Sequence, residues 1–172
     1  MTTWTAIRFG FLLGAVFSAW NVIASRIAPL AEDTPGALLA FYGPMFAAWT
    51  IAGAMSSRRT TRIGDGAKTG ALVAFVTFAV LTAVVIARVN LLLEITSQRP
   101  DWQNLMLRYR SSGFSSLRAY ANSIYFTGAP LKLLVASSIG ALCGSIGGYA
   151  AAEYWAARSR QTTSAAHTLK RR

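Results

Sequence analysis

Hydrophobic positions in this chain gather into four long uncharged stretches, Phe9 to Ser25, Thr34 to Ser57, Thr69 to Ala87 and Leu133 to Ala152, separated by polar or basic segments. Each has about the 17–25 residues that a helix needs to cross a hydrocarbon core about 30 Å thick. Strands of a membrane barrel would be about ten residues long with alternating polarity, and nothing here alternates. A soluble fold with four such stretches would keep almost no sequence to cover its surface. Helices satisfy their own backbone hydrogen bonds in lipid. The pattern therefore predicts an all-α protein, a four-transmembrane-helix bundle with spans at about 7–28, 36–56, 68–89 and 131–156. The first stretch follows Arg8 as a signal peptide might, but it is too long for an ordinary apolar leader and reads as a retained span.

The connection at about 90–129 carries helical spacing of its own. Asp101 after Pro100 is placed to cap a helix in which Trp102, Leu105, Met106 and Tyr109 share a face. Gly113 breaks that pattern, and Ser115 or Ser116 opens a second helix with Leu117, Tyr120, Ala121, Ile124 and Tyr125 on one side. Trp102, Tyr109, Tyr120 and Tyr125 thus mark the apolar side of an amphipathic extracytoplasmic loop, shielded by lipid, by the bundle or by a docked partner. Upstream, ARVNLLLEITSQRP holds no Gly or Pro before Pro100, so the third helix is expected to run on to that point.

Charge then sets orientation. The chain carries a formal net charge of +11, which in a soluble protein would point to nucleic acid; here the basic residues border the apolar stretches, which is membrane topology and excludes that partner. Arg58, Arg59, Arg62 and Lys68 face a single acid, Asp65, in the loop after span two. The tail at 158–172 adds Arg158, Arg160, Lys170, Arg171 and Arg172, whereas the first loop sets Glu32 and Asp33 against Arg26. Short basic segments stay inside, so both termini are expected in the cytoplasm of a bacterial inner membrane.

Small residues supply the strongest local signal. Ala136, Gly140, Gly144, Gly148 and Ala152 recur every fourth position in span four, a glycine zipper. Gly10 and Gly14 in span one and Gly66, Gly70 and Ala74 in span three make shorter stripes. Lipid gives helices no hydrophobic reason to associate, so close backbone approach must hold them, and small side chains permit it. The stripes serve either a tight intrachain bundle or contact with a second copy or another subunit.

Polar groups inside the spans are few. Asn21 is the deepest, and an interhelical hydrogen bond is its plainest use; Pro44 should kink span two, and the two residues together offer the one candidate polar pocket. Chemistry finds no support: there is one Cys143, one His167 in the tail, no catalytic or metal-ligating set, no phosphate loop and no cofactor. The layout of a basic residue and glycine opening span three, a long outer loop and a glycine-rich span four resembles the short four-span inner-membrane proteins of unknown function found in many bacteria. That resemblance implies location and helix count and assigns no functional residue. The expectation is a non-enzymatic structural or accessory subunit whose partners are the bilayer and itself or other membrane subunits. The alternative is a small oligomeric transporter or channel lined by Asn21, Thr50, Thr77 and the face from Ser137 to Ser145.

Overall fold

The computed structural model describes residues 1–27, 34–60, 62–99 and 102–169. Regular structure among them is entirely helical: α1 Thr3–Ile27, α2 Pro35–Thr60, α3 Ile63–Leu91, α4 Leu93–Thr96, α5 Gln103–Arg110 and α6 Leu117–Leu169. Four of these, α1, α2 up to Arg58, α3 and α6 up to Arg158, are long and apolar enough to cross a membrane, which suggests a multi-pass membrane protein. Hydroxyl side chains open three of them, with Thr2 Oγ1 accepting from the Thr5 N–H at 3.3 Å at the start of α1. Thr34 Oγ1 accepts from the Ala37 N–H at 3.2 Å, and Ser116 Oγ from the Ala119 N–H at 3.2 Å, each taking up a donor that a helix start leaves unmet. Pro100 and Asp101, the expected start of the outer helix, lie outside the described residues, as do Glu32 and Asp33.

α3 occupies the centre, packed against α1, α2 and α6, while α1 and α2 barely touch. Its sequence presents a different surface to each neighbour. Toward α1 it offers Val73, Val76, Thr77 and Val80, and Gly10 and Gly14 bring the α1 backbone onto them; a Cβ at Gly10 would lie 2.9 Å from the Val73 carbonyl. Toward α6 it offers Gly66 and Gly70. Toward α2 it offers Thr69, whose Oγ1 bonds Ser56 Oγ at 2.8 Å, and Phe78, against the Trp49 ring. The main core gathers Ala6, Met45, Trp49, Ala52, Val73 and Ala74 with a surround of partly buried aromatics.

Two elements depart from the sequence expectation. The third helix does not run to Pro100: it ends at Leu91, Leu92 leaves helical geometry (φ −124°, ψ 33°), and α4 is a single turn. The bend lets Leu93 and Trp102 fold back onto Val85 and Val89, and tertiary packing of this kind overrides a local sequence that holds no breaker. Nor does the helix that carries span four begin after Pro130. α6 is one helix of 53 residues with Pro130 inside it, about 80 Å long at 1.5 Å per residue, so the segment expected as a separate outer helix is its first turns. Proline removes one hydrogen bond, to the Phe126 carbonyl. The helix holds across that gap because both sides of it pack on α3, Ala121 against Val89 on one side and Gly140 against Gly70 on the other.

Candidate functional site

Four features of the bundle have the geometry to do something beyond filling space: a glycine seam, a polar cluster at the α1–α3 border, a folded cap, and a cavity.

The seam runs between α6 and its two neighbours. A Cβ at Gly144 would strike the backbone of Gly66 and Gly70, one at Gly140 the backbone of Gly70 and the Ala74 side chain, and one at Gly147 the Thr50 carbonyl. Gly148 sits over the Ser57 hydroxyl, 2.7 Å from where its Cβ would be. Of the positions expected to pack helices, Gly70, Gly140, Gly144 and Gly148 therefore meet within this chain, and Gly10 and Gly14 seat α1 on α3. Ala136 is buried; Ala152 is half-buried and Ala151 takes the buried place beside it. A four-residue step falls behind a 3.6-residue turn, so the contact face drifts along α6 from Gly140 to Gly147 and Ala151. Gly53, which lies against Gly144, escaped the sequence reading, although Trp49, Gly53 and Ser57 share its fourfold spacing.

Asn21 and Pro44 have different surroundings. Asn21 Oδ1 accepts from Arg88 at 2.9 Å, and the same guanidinium donates to Ser25 Oγ, a cross-link between α1 and α3. Pro44 is exposed on α2. Most hydroxyls that a permeation path would need are turned into their own helices. Thr50 donates to the Phe46 carbonyl at 2.9 Å, Ser137 to Leu133 at 2.7 Å and Ser145 to Ala141 at 2.8 Å, while Thr77 bonds Val73 in α3 and Gly10 in α1. Each is thereby satisfied without water.

The cap is built on the C-terminal end of α3 and the N-terminal end of α6. Trp102, only 4% exposed, packs with Val89 and Ala121, and Leu93, Leu105 and Tyr125 close around them. Beside this cluster Asn90 and Asn122 exchange amide hydrogen bonds in both directions, at 2.7 and 3.0 Å. Tyr120 is buried under Tyr109 and Phe114, with ring centroids 5.8 and 5.4 Å away. Of the four aromatics expected at a loop interface, Trp102 and Tyr120 are thus internal struts, and Tyr109 and Tyr125 are half-buried. Gly113, with φ 74°, makes the left-handed turn between α5 and α6 that a side chain would resist.

The cavity, of about 420 Å³, opens between α2, α3 and α6. Tyr42, Phe46 and Trp49 form one wall and Phe78 another; Leu131, Lys132, Val135, Ala136 and Ile139 form the third. Lys132, which lines this cavity, was passed over in the sequence because it stands just before the uncharged stretch that begins at Leu133. The contacts of Gly144 with Gly66, Gly140 with Gly70 and Asn122 with Asn90 align α6 antiparallel to α3. Lys132 then falls level with Phe78, near the middle of the 29 residues of α3, about 20 Å from either end. Its ammonium lies 5.3 Å from the centre of the Tyr125 ring, reaching back along α6 as lysines in apolar surroundings do.

The chain matches no protein-family model, no curated protein and no solved structure.

Proposed function

We propose that the chain is a non-enzymatic structural or accessory subunit of a membrane complex, held in a cell inner membrane by a four-span bundle with both termini cytoplasmic. It engages its partner, a second copy or another membrane subunit, through the outer segment between α3 and the start of α6. One observation carries this reading: the outer segment is a folded cap, with a tryptophan sunk between helices and a reciprocal amide pair beside it. A mere connection has no need of such anchoring. What the anchoring achieves is a fixed surface on which Leu107 and Phe114 stand exposed among Arg108, Arg110 and Arg118, the mixture of apolar and arginine side chains favoured at protein interfaces. The small-residue stripe, the other candidate surface, is occupied within the chain. Orientation rests on the basic α2–α3 turn.

Two measurements test the proposal. With Cys143 replaced by Ala, a cysteine at exposed Ser111 should react with an impermeant maleimide from outside the cell, and one at exposed Arg58 should not; the reverse pattern overturns the orientation. Purified in mild detergent, the wild type should carry a second chain or copy at fixed stoichiometry, and the pair Leu107→Glu and Arg108→Glu, both at exposed positions, should release it without lowering the unfolding temperature. A wild-type monomer without a stoichiometric companion overturns the subunit reading.

A further inference from the structure

The cavity between α2, α3 and α6 borders the seam at Ala136 and the cap at Tyr125, but neither the glycine contacts nor the exposed cap surface uses it. We infer that it binds a single-chain anionic amphiphile, a long-chain carboxylate, with the chain in the cleft and the carboxylate on Lys132. Two observations converge. The wall is almost wholly aromatic and aliphatic, runs about 12 Å along α6 from Leu131 to Ile139, and has the volume of a small-molecule site. Leu131 and Val135 at its edge are exposed, so the cleft opens sideways, where a bilayer would supply an aliphatic chain.

The second observation is Lys132 itself. A cation midway along a spanning bundle is costly to hold, and such residues mark ligand or ion sites. Among the described residues no carboxylate meets its ammonium; the contact the fold provides is the face of Tyr125. The site therefore offers one positive charge beside an apolar slot and lacks the matching anion.

Depth chooses the class of ligand. Phe78, level with the Lys132 backbone, lies ten residues, about 15 Å, below Arg88, whose polar cluster with Asn21 and Ser25 lies toward the cap end of the bundle. The lysine ammonium reaches from the Phe78 level part of the way back toward the cap, to Tyr125. A phospholipid phosphate held at the head-group level stays above the cleft. A carboxylate is a small head with one charge, and it can follow its chain to the lysine. The proposal stands apart from the subunit reading, since the cap surface takes no part in it.

The test uses the full chain in lipid nanodiscs with three diazirine-bearing probes: a long-chain fatty acid, its methyl ester and a phosphatidylcholine with the same acyl chain. After irradiation, labelled residues are mapped by mass spectrometry. The fatty acid should label the segments 42–49 and 131–139, saturably and in competition with unlabelled fatty acid. Lys132→Gln, a change at an exposed side chain, should cut that labelling about tenfold, one charge-pair contact, with an unchanged melting curve. Ile139→Trp, which fills the slot, should abolish it in a protein with intact Lys132. Equal labelling by acid and ester, or indifference to Lys132→Gln, would falsify carboxylate recognition. Equal saturable labelling by phosphatidylcholine would make the cleft an ordinary annular lipid groove, and labels confined to the outer faces of α1 would mean that the cleft takes no ligand; either outcome overturns the proposal.

Discussion

Near the α2–α3 turn, α2 and α6 are so close that Gly53 lies on Gly144 and Gly147 on the Thr50 carbonyl. Two turns away the same helices are held apart by Tyr42, Phe46 and Trp49, and a cavity of about 420 Å³ opens between them. The two halves answer one problem in opposite ways. In lipid the association of helices depends on dispersion and hydrogen bonding rather than on the escape of apolar surface from water. Glycines collect that dispersion by bringing backbones together and leave no room for anything else. Aromatic rings collect it through their own bulk, edge to face at Phe17–Phe41 and tilted at Trp49–Phe78, and rings do not tile without gaps. A gap that water cannot enter and lipid can is stable in a membrane, so the half built from large residues is the half that can hold a guest.

Adding volume to each half breaks the comparison most directly. Gly144→Leu drives a side chain into the Gly66 and Gly70 backbone, and overpacking against backbone should reach the upper end of its usual cost, about 3 kcal/mol. The detergent unfolding temperature should fall steeply, while Ala150→Leu on the exposed face of α6 should leave it unchanged. Equal tolerance at both sites would mean that the seam is not a close contact. Trp102→Ala should cost nearly as much locally, about 3 kcal/mol, but its loss belongs to the cap. Hydrogen exchange should rise from Leu93 to Ser116 and stay slow around Gly70; a rise throughout the chain would show cap and bundle to be one cooperative unit.

Smaller effects sharpen the contrast. Asn122→Leu leaves the Asn90 amide without its partner, and the cost in a membrane should be about 1 kcal/mol. The double change Asn90→Leu with Asn122→Leu should recover part of it, because two apolar groups leave nothing unmet. A double variant worse than the sum of the singles would show that the pair does more than satisfy itself. Ile139→Val, on the cavity wall, should be smallest, at or below about 0.5 kcal/mol, since the methylene it removes borders space that is already empty. A loss as large as that at Gly144 would mean that the cavity is closed in solution.

Much of this was legible in the residues themselves. The four apolar stretches, the stripe of span four and the capping serine at 116 follow from composition and spacing, and the structure places helices accordingly. Partners were not legible. Spacing says that Gly140 and Gly144 can approach a backbone; it does not say that the backbone belongs to α3. The bend at Leu92 has no local mark, since it is dictated by Trp102 folding back onto Val89 thirteen residues earlier in the chain. Pro130 misled for the converse reason: its local effect is real, but packing of the helix on both sides outweighs it. Lys132 stands just before the uncharged stretch from Leu133, and hydropathy locates such a boundary along one helix only, whereas the depth of the lysine is set by how α6 slides against α3.

That sliding raises a problem the glycines cannot solve. A smooth track with a step of four looks the same after a slip of one step, about 6 Å: Gly144 would then take the place of Gly140 over Gly70 and Ala74, and Gly148 the place of Gly144 between Gly66 and Gly70. The vernier is ambiguous, and backbone closeness alone would accept more than one setting. The paired amides of Asn90 and Asn122 remove the ambiguity, because they can meet in both directions at one setting only, and a slip would leave two amides in an apolar junction with no one to answer them. A single polar pair at the far end of the molecule thereby decides which of several nearly equivalent zippings is the native one, and with it the height at which the lysine stands.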